Sequence, residues 1–145
     1  MGIFTIIPLM IIPVAIYNVI AWGGSAFSTA EAVRDRMDTE FLSVTMASGA
    51  DWVVTPGHGL VTLALVTLFF ELLKSTGIGR AAVMNHAFSM VLFIICLVEF
   101  LMFQAFATSV FFLIMLMALM DVMAGFMVTI ASARRDFHVA DGFSD

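Results

Sequence analysis

The chain has 145 residues, 62% of them hydrophobic and 12% charged. That is too apolar and too sparsely charged for an ordinary soluble domain, and a net charge of -5 gives no basic surface for nucleic acid. One cysteine, Cys96, excludes an internal disulfide and any CxxC metal or redox motif.

The apolar residues fall into four blocks that meet the roughly 20-residue requirement for a transmembrane helix. The first is Ile3 to Trp22. It has no Lys or Arg before it and is longer than a signal-peptide core, so it reads as a retained span; cleavage after Ala30 is the alternative. Pro8 and Pro13 should kink it or loosen its first half, and Trp22 closes it at interface depth. The second block runs from His58 to about Lys74, the third from about Ala81 to Phe103, and the fourth from about Thr108 to Ala133, ahead of Arg134 and Arg135. The polar tail beyond Arg135 should fray. The expected fold is a single all-α membrane domain over residues 1–145. Its spans are 3–22, 58–74, 81–103 and 108–133, and its one long loop is 23–57.

That loop has its own pattern. Ser28-Thr29-Ala30-Glu31 fits a capping box, with Ser28 as N-cap and Glu31 three positions on. A short amphipathic helix should follow, with Ala30, Val33, Met37 and Phe41 on one side. It would lie on the outer leaflet or cover the bundle. Phe41 to Met46 then alternates, Ala47-Ser48-Gly49-Ala50 suits a turn, and Asp51 to Thr55 is rich in β-formers before Pro56-Gly57. This predicts a β-hairpin, which is marginal alone and must pack on something. Lys74, Arg80, Arg134 and Arg135 fall on the side shared by the second loop and both termini. Arg34 and Arg36 lie in the first loop among Glu31, Asp35, Asp38, Glu40 and Asp51. The positive-inside rule therefore predicts both termini in the cytoplasm.

The intramembrane polar residues form stripes. Asn85, Ser89, Cys96 and Glu99 share one face of the third span, with Leu92 completing it. Ala118, Asp121, Gly125, Thr129 and Ser132 form a narrow small-or-polar face on the fourth, a pattern that lets helices approach closely. On the second span His58 and Thr62 lie four apart, as do Thr67 and Glu71. Folding the hairpins of helices places Glu71 level with Asn85 and His86, and Asp121 within about a turn of Ser89. The expected sites are an inner-side cluster of Asp121, Glu71, Asn85, His86 and Ser89, and an outer-side pair of His58 and Glu99. Ala118, Gly125, Thr129 and Ser132 are the expected helix-packing face.

A carboxylate such as Asp121 in mid-span needs a bundle interior, a water-filled path or a partner. The groups serve either as structural glue between helices or as a proton or ion relay. A metal site from His58 and Glu99 lacks HxxxH or HxxE spacing. An axial-ligand role for His86 is a minor alternative. GxSxG, HExxH, Walker and glycine-rich nucleotide motifs do not occur. Cys96, set in hydrocarbon, should be inert. The expected protein is therefore non-enzymatic and needs no cofactor. It acts by association, as an accessory subunit or a homo-oligomer, with the bilayer and a membrane protein or a second copy as partners. The alternative is a proton- or ion-conducting protein.

Several segments carry a resemblance. They are Ser48-Gly49 with Trp52, Gly57-His58-Gly59-Leu60, Phe70-Glu71-Leu72-Leu73-Lys74, Ala118-Leu119-Met120-Asp121 and Ala133-Arg134-Arg135-Asp136. With these the chain resembles small uncharacterised four-span inner-membrane proteins of proteobacteria. The resemblance covers most of the chain and implies a bacterial inner membrane and one compact unit. It implies no catalytic residue.

Overall fold

The computed structural model describes residues 6–23, 29–75 and 80–141, with the side chains of 75, 80, 129 and 131–141 outside the description. Five helices and one hairpin follow in order: α1 (Ile11–Trp22), α2 (Ala30–Asp38), β1 (Leu42–Thr45), β2 (Asp51–Val54), α3 (Pro56–Ser75), α4 (Arg80–Met102), a 3-10 turn (Gln104–Phe106) and α5 (Ser109–Asp141). α5 packs against both α3 and α4, while α3 and α4 touch each other little. Stretches of α3, α4 and α5 are each long and apolar enough to cross a membrane: Pro56–Lys74, Ala81–Met102 and Ser109–Val128. Their outward faces carry exposed Leu, Phe, Met, Ile and Val, as lipid contact requires.

The first block differs from expectation. Its helix has only 12 residues, starting at Ile11. Pro8 lies in the turns before it. Pro13 falls in the first helical turn, where a missing N–H costs no intrahelical bond. Residues 3–5 of the expected span lie outside the described residues. Segment and helix together still run the height of the bundle. Ile7 accepts from Lys74 Nζ (2.9 Å) near the end of α3. Trp22 packs on Phe103 (ring centroids 5.4 Å apart), just past the end of α4.

Local chemistry sets the helix ends. Thr29 caps α2 by accepting from the Ala32 N–H (3.3 Å), a role expected of Ser28, which lies outside the described residues. Thr55 and His58 cap α3 reciprocally. The Thr55 hydroxyl accepts from the His58 N–H and His58 Nδ1 accepts from the Thr55 N–H, both at 3.3 Å. Histidine thus stands where a capping box has Glu, with Pro56 in the favoured first position. Thr108 caps α5 by accepting from the Phe111 N–H (3.2 Å). With no Gly or Pro between Phe126 and Asp141 to break it, α5 continues to Asp141, past the expected end at Ala133 and through most of the tail expected to fray.

The core sits toward the end where the hairpin lies. Tyr17 is buried among Phe106 and Phe111. Its hydroxyl donates to the Ala105 carbonyl (3.0 Å) and shares a 2.5 Å bond with Thr108 Oγ1. α2 covers this end, burying Val33 and Met37 against α3 and the 3-10 turn. Phe41, expected on the same face, lies beyond the helix end and is 81% exposed. Two arginines fasten α2: Arg34 donates to the Ala107 carbonyl and Arg36 to the Ile20 carbonyl, each at 2.9 Å. At Gly57 the backbone of α2 comes so close that a Cβ would lie 3.1 Å from the Met37 carbonyl oxygen.

Candidate functional site

Glu71 is the centre of the buried polar network. It follows Leu68 and Ala64 on the inward face of α3 and is fully buried. Lys74, one turn on, pairs with it at 2.9 Å. Asn85 of α4 donates its amide N–H to Glu71 Oε1, the oxygen that Lys74 also pairs with. The Leu9 N–H donates to Glu71 Oε2 (2.7 Å). That N–H precedes α1 and has no helical partner there, so the carboxylate joins three segments by satisfying donors that would otherwise be orphaned.

Asp121 is 1% exposed on the inward face of α5, and Ser89 of α4 neighbours it. Ser89 lies one turn from Asn85, so both share the buried face that the helical period predicts. Glu71, His86 and Lys74 are close enough to act on Asp121 electrostatically. Yet beyond the reach of Ser89 Oγ to the Asp121 carboxyl, these two groups, Asn85 Oδ1 and both His86 ring nitrogens are buried with no hydrogen-bond partner. Buried polar groups are otherwise nearly always paired. Glu71 has a cation beside it; Asp121 has none in hydrogen-bonding or ion-pair contact among the described residues.

His86 is placed by Gly125. A Cβ at Gly125 would overlap the His86 ring, so the absent side chain is what seats the imidazole against α5. The helix-packing face expected here is that of Ala118, Gly125, Thr129 and Ser132. Ala118 and Gly125 are buried within the chain's own bundle. The side chains of Thr129 and Ser132 lie outside the described residues.

The outer-side pair is corrected. His58 is exposed and spends Nδ1 on the cap at Thr55. Glu99 accepts from Asn18 Nδ2 of α1 (3.3 Å). The two do not meet because α1 supplies the nearer donor. Asn18 was silent in the sequence, since a lone Asn in an apolar block has no periodic signature. Lys74 as a partner for Glu71 was legible in the three-residue spacing. Among the described residues no group of three His, Cys, Asp or Glu is placed to hold a metal ion.

Between the Asp121 level and the Glu99 level lies an apolar layer: Leu68, Leu92, Cys96, Ile114, Met115 and Ala118, all buried. From Asp121 to Ile114 it spans about 10 Å of α5. The polar network therefore reaches the Lys74 end and stops short of the other.

At that other end the hairpin pairs Leu42 with Val54, Ser43 with Val53, Val44 with Trp52 and Thr45 with Asp51. Gly49 takes φ +83 in its turn, a conformation glycine adopts without steric cost. Paired residues point to the same side, so Leu42, Val44, Trp52 and Val54 form one apolar face. Most of it is exposed, Trp52 at 56%. A groove of about 460 Å³ beside it is lined by Asp38, Trp52, His58, Val61 and Leu113, among others.

Comparison with known proteins found no matching family model, curated protein or solved structure.

Proposed function

We propose that the chain is a non-enzymatic inner-membrane protein of a bacterium that acts by association, as an accessory subunit of a membrane complex or as a homo-oligomer. One observation carries the reading. The hairpin presents Leu42, Val44 and Trp52 to the outside, and a two-stranded hairpin needs packing to be stable. The bundle supplies little of it. The contact surface is thus the hairpin rather than the small-residue face of α5, where His86 covers Gly125.

The membrane disposition is four crossings with both termini cytoplasmic. The height of the Ile7-to-Trp22 segment supports the first crossing. Its 12 helical residues span about 18 Å, and the turns before them carry the chain on until its two ends meet Lys74 at the end of α3 and Phe103 past the end of α4. Lys74, at the end of α3 away from the hairpin, supports the cytoplasmic assignment of that side.

The test is the size of the full chain in mild detergent, compared with a Leu42→Ser, Trp52→Ser variant. Both positions are exposed, so the bundle should stay folded by circular dichroism. The wild type should run as an assembly and the variant as a single chain. Equal sizes, or a monomeric wild type with nothing bound, would refute the reading.

A second reading, a proton or ion conductor through Asp121, Glu71 and His86, draws support from the unpartnered buried atoms. The apolar layer beyond Asp121 argues against a through-path within one chain.

A further inference from the structure

We propose that Asn85, Ser89 and Asp121 form a binding site for one monovalent cation of the sodium class, entered from the Lys74 end and closed toward the Glu99 end. The proposal goes beyond association and does not depend on it.

Four oxygens carry the argument: both of Asp121, the Ser89 hydroxyl and the Asn85 carbonyl. All four sit on residues no more than 1% exposed; the Ser89 hydroxyl and the Asp121 carboxyl have only each other within hydrogen-bonding reach, and the Asn85 carbonyl has no partner. Asn85 commits its amide N–H to Glu71. That choice leaves its oxygen on the side away from Glu71, on the same helix face as Ser89. Ser89 in turn neighbours Asp121. Carboxylate, hydroxyl and amide oxygens are the donors that hard cations prefer.

The charge balance selects a monovalent ion. Glu71 is matched by Lys74. Asp121, on exchanging its proton for the ion, contributes one negative charge, with no cation in ion-pair contact among the described residues. Divalent ions generally take more carboxylate or imidazole ligands than this, and no three such groups are placed together among the described residues. A serine hydroxyl can also orient its hydrogen away from the ion, so it serves as a neutral ligand.

The surroundings define access. Leu68, Leu92, Cys96, Ile114 and Ala118 close one side. Lys74, 20% exposed, lies on the opposite, polar side. The titratable or charged groups near Asp121 are Glu71 and Lys74 from α3 and His86 from α4.

The probe is dicyclohexylcarbodiimide, which reaches carboxyl groups in apolar surroundings, applied to the purified full chain in mild detergent at one fixed pH. The adduct is located by peptide mass mapping. Sodium at ten times its half-protecting concentration should slow modification of Asp121 about tenfold by occupancy, and choline should not. Ser89→Ala should keep Asp121 reactive but remove most of the sodium protection. Equal rates in sodium, lithium, potassium and choline overturn the proposal. Where Asp121 does not react, the thermal midpoint decides. A sodium-dependent rise in the wild type that is lost in Asp121→Asn supports the site. No rise, or the same rise in both, overturns it.

Discussion

Replacing Glu71 by Ala tests whether this carboxylate holds the inner end together. The substitution strands the Leu9 N–H, the Asn85 amide and Lys74. Each of the first two, left unsatisfied in a buried site, costs about 1–3 kcal/mol. Lys74 keeps its bond to Ile7 and reaches water, so its share is small. The expected loss is about 3–5 kcal/mol, the range for breaking a buried pair and above the roughly 0.6–2 kcal/mol of one interhelical hydrogen bond in a membrane. Glu71→Gln keeps one acceptor for these donors and should lose about half as much. Reversible unfolding in mixed micelles with rising dodecyl sulfate measures both, in a Trp52→Phe background that leaves Trp22 as the only fluorophore of its kind. A loss under about 1 kcal/mol for Glu71→Ala, or equal losses for Ala and Gln, would refute the reasoning.

Other substitutions probe the neighbouring contacts. Gly125→Leu forces the His86 ring out of its seat and should cost about 1–3 kcal/mol or more; adding His86→Ala should recover part of it in the same unfolding assay. Tyr17→Phe removes the bonds to Ala105 and Thr108, and should lower stability by about 1–2 kcal/mol with the helical circular dichroism spectrum unchanged. Gly49→Val places a β-branched side chain at φ +83. It should make the hairpin a preferred protease site while α3 to α5 stay intact on a gel. A Ser48→Cys, Cys96→Ala variant should react with an impermeant maleimide added outside spheroplasts, since Ser48 lies in the exposed turn; protection there with labelling from within would reverse the topology.

Legibility followed the length scale of each signal. The hairpin could be read because alternation, turn residues and the Pro56 stop all lie within 16 residues of Phe41. The long helices could be read because Lys74 and Arg80 interrupt an apolar sequence. The face shared by Asn85 and Ser89 came from the helical period alone. Other features depended on which segment lies alongside which. Ile3 to Trp22 is apolar at nearly every position, and its helix starts just after Leu9 meets Glu71, a contact 62 residues apart in the chain. His58 and Glu99 have suitable depths, but depth does not say that Asn18 stands nearer. A small-residue stripe looks the same whether it receives another protein or, as at Gly125, a histidine from the adjacent helix.

The clasp around Tyr17 bears on how the chain is built in a cell. Tyr17 bonds to Ala105 and Thr108, and Arg34 to Ala107, across separations of 88, 91 and 73 residues. At about 18 Å, α1 alone is too short to settle across a bilayer of about 30 Å. α1 must therefore wait until the residues that follow α4 are made before it gains these partners. Insertion should be cooperative across the whole chain, and truncation before Thr108 should leave the N-terminal segment exposed to quality-control proteases even though every residue of it is present.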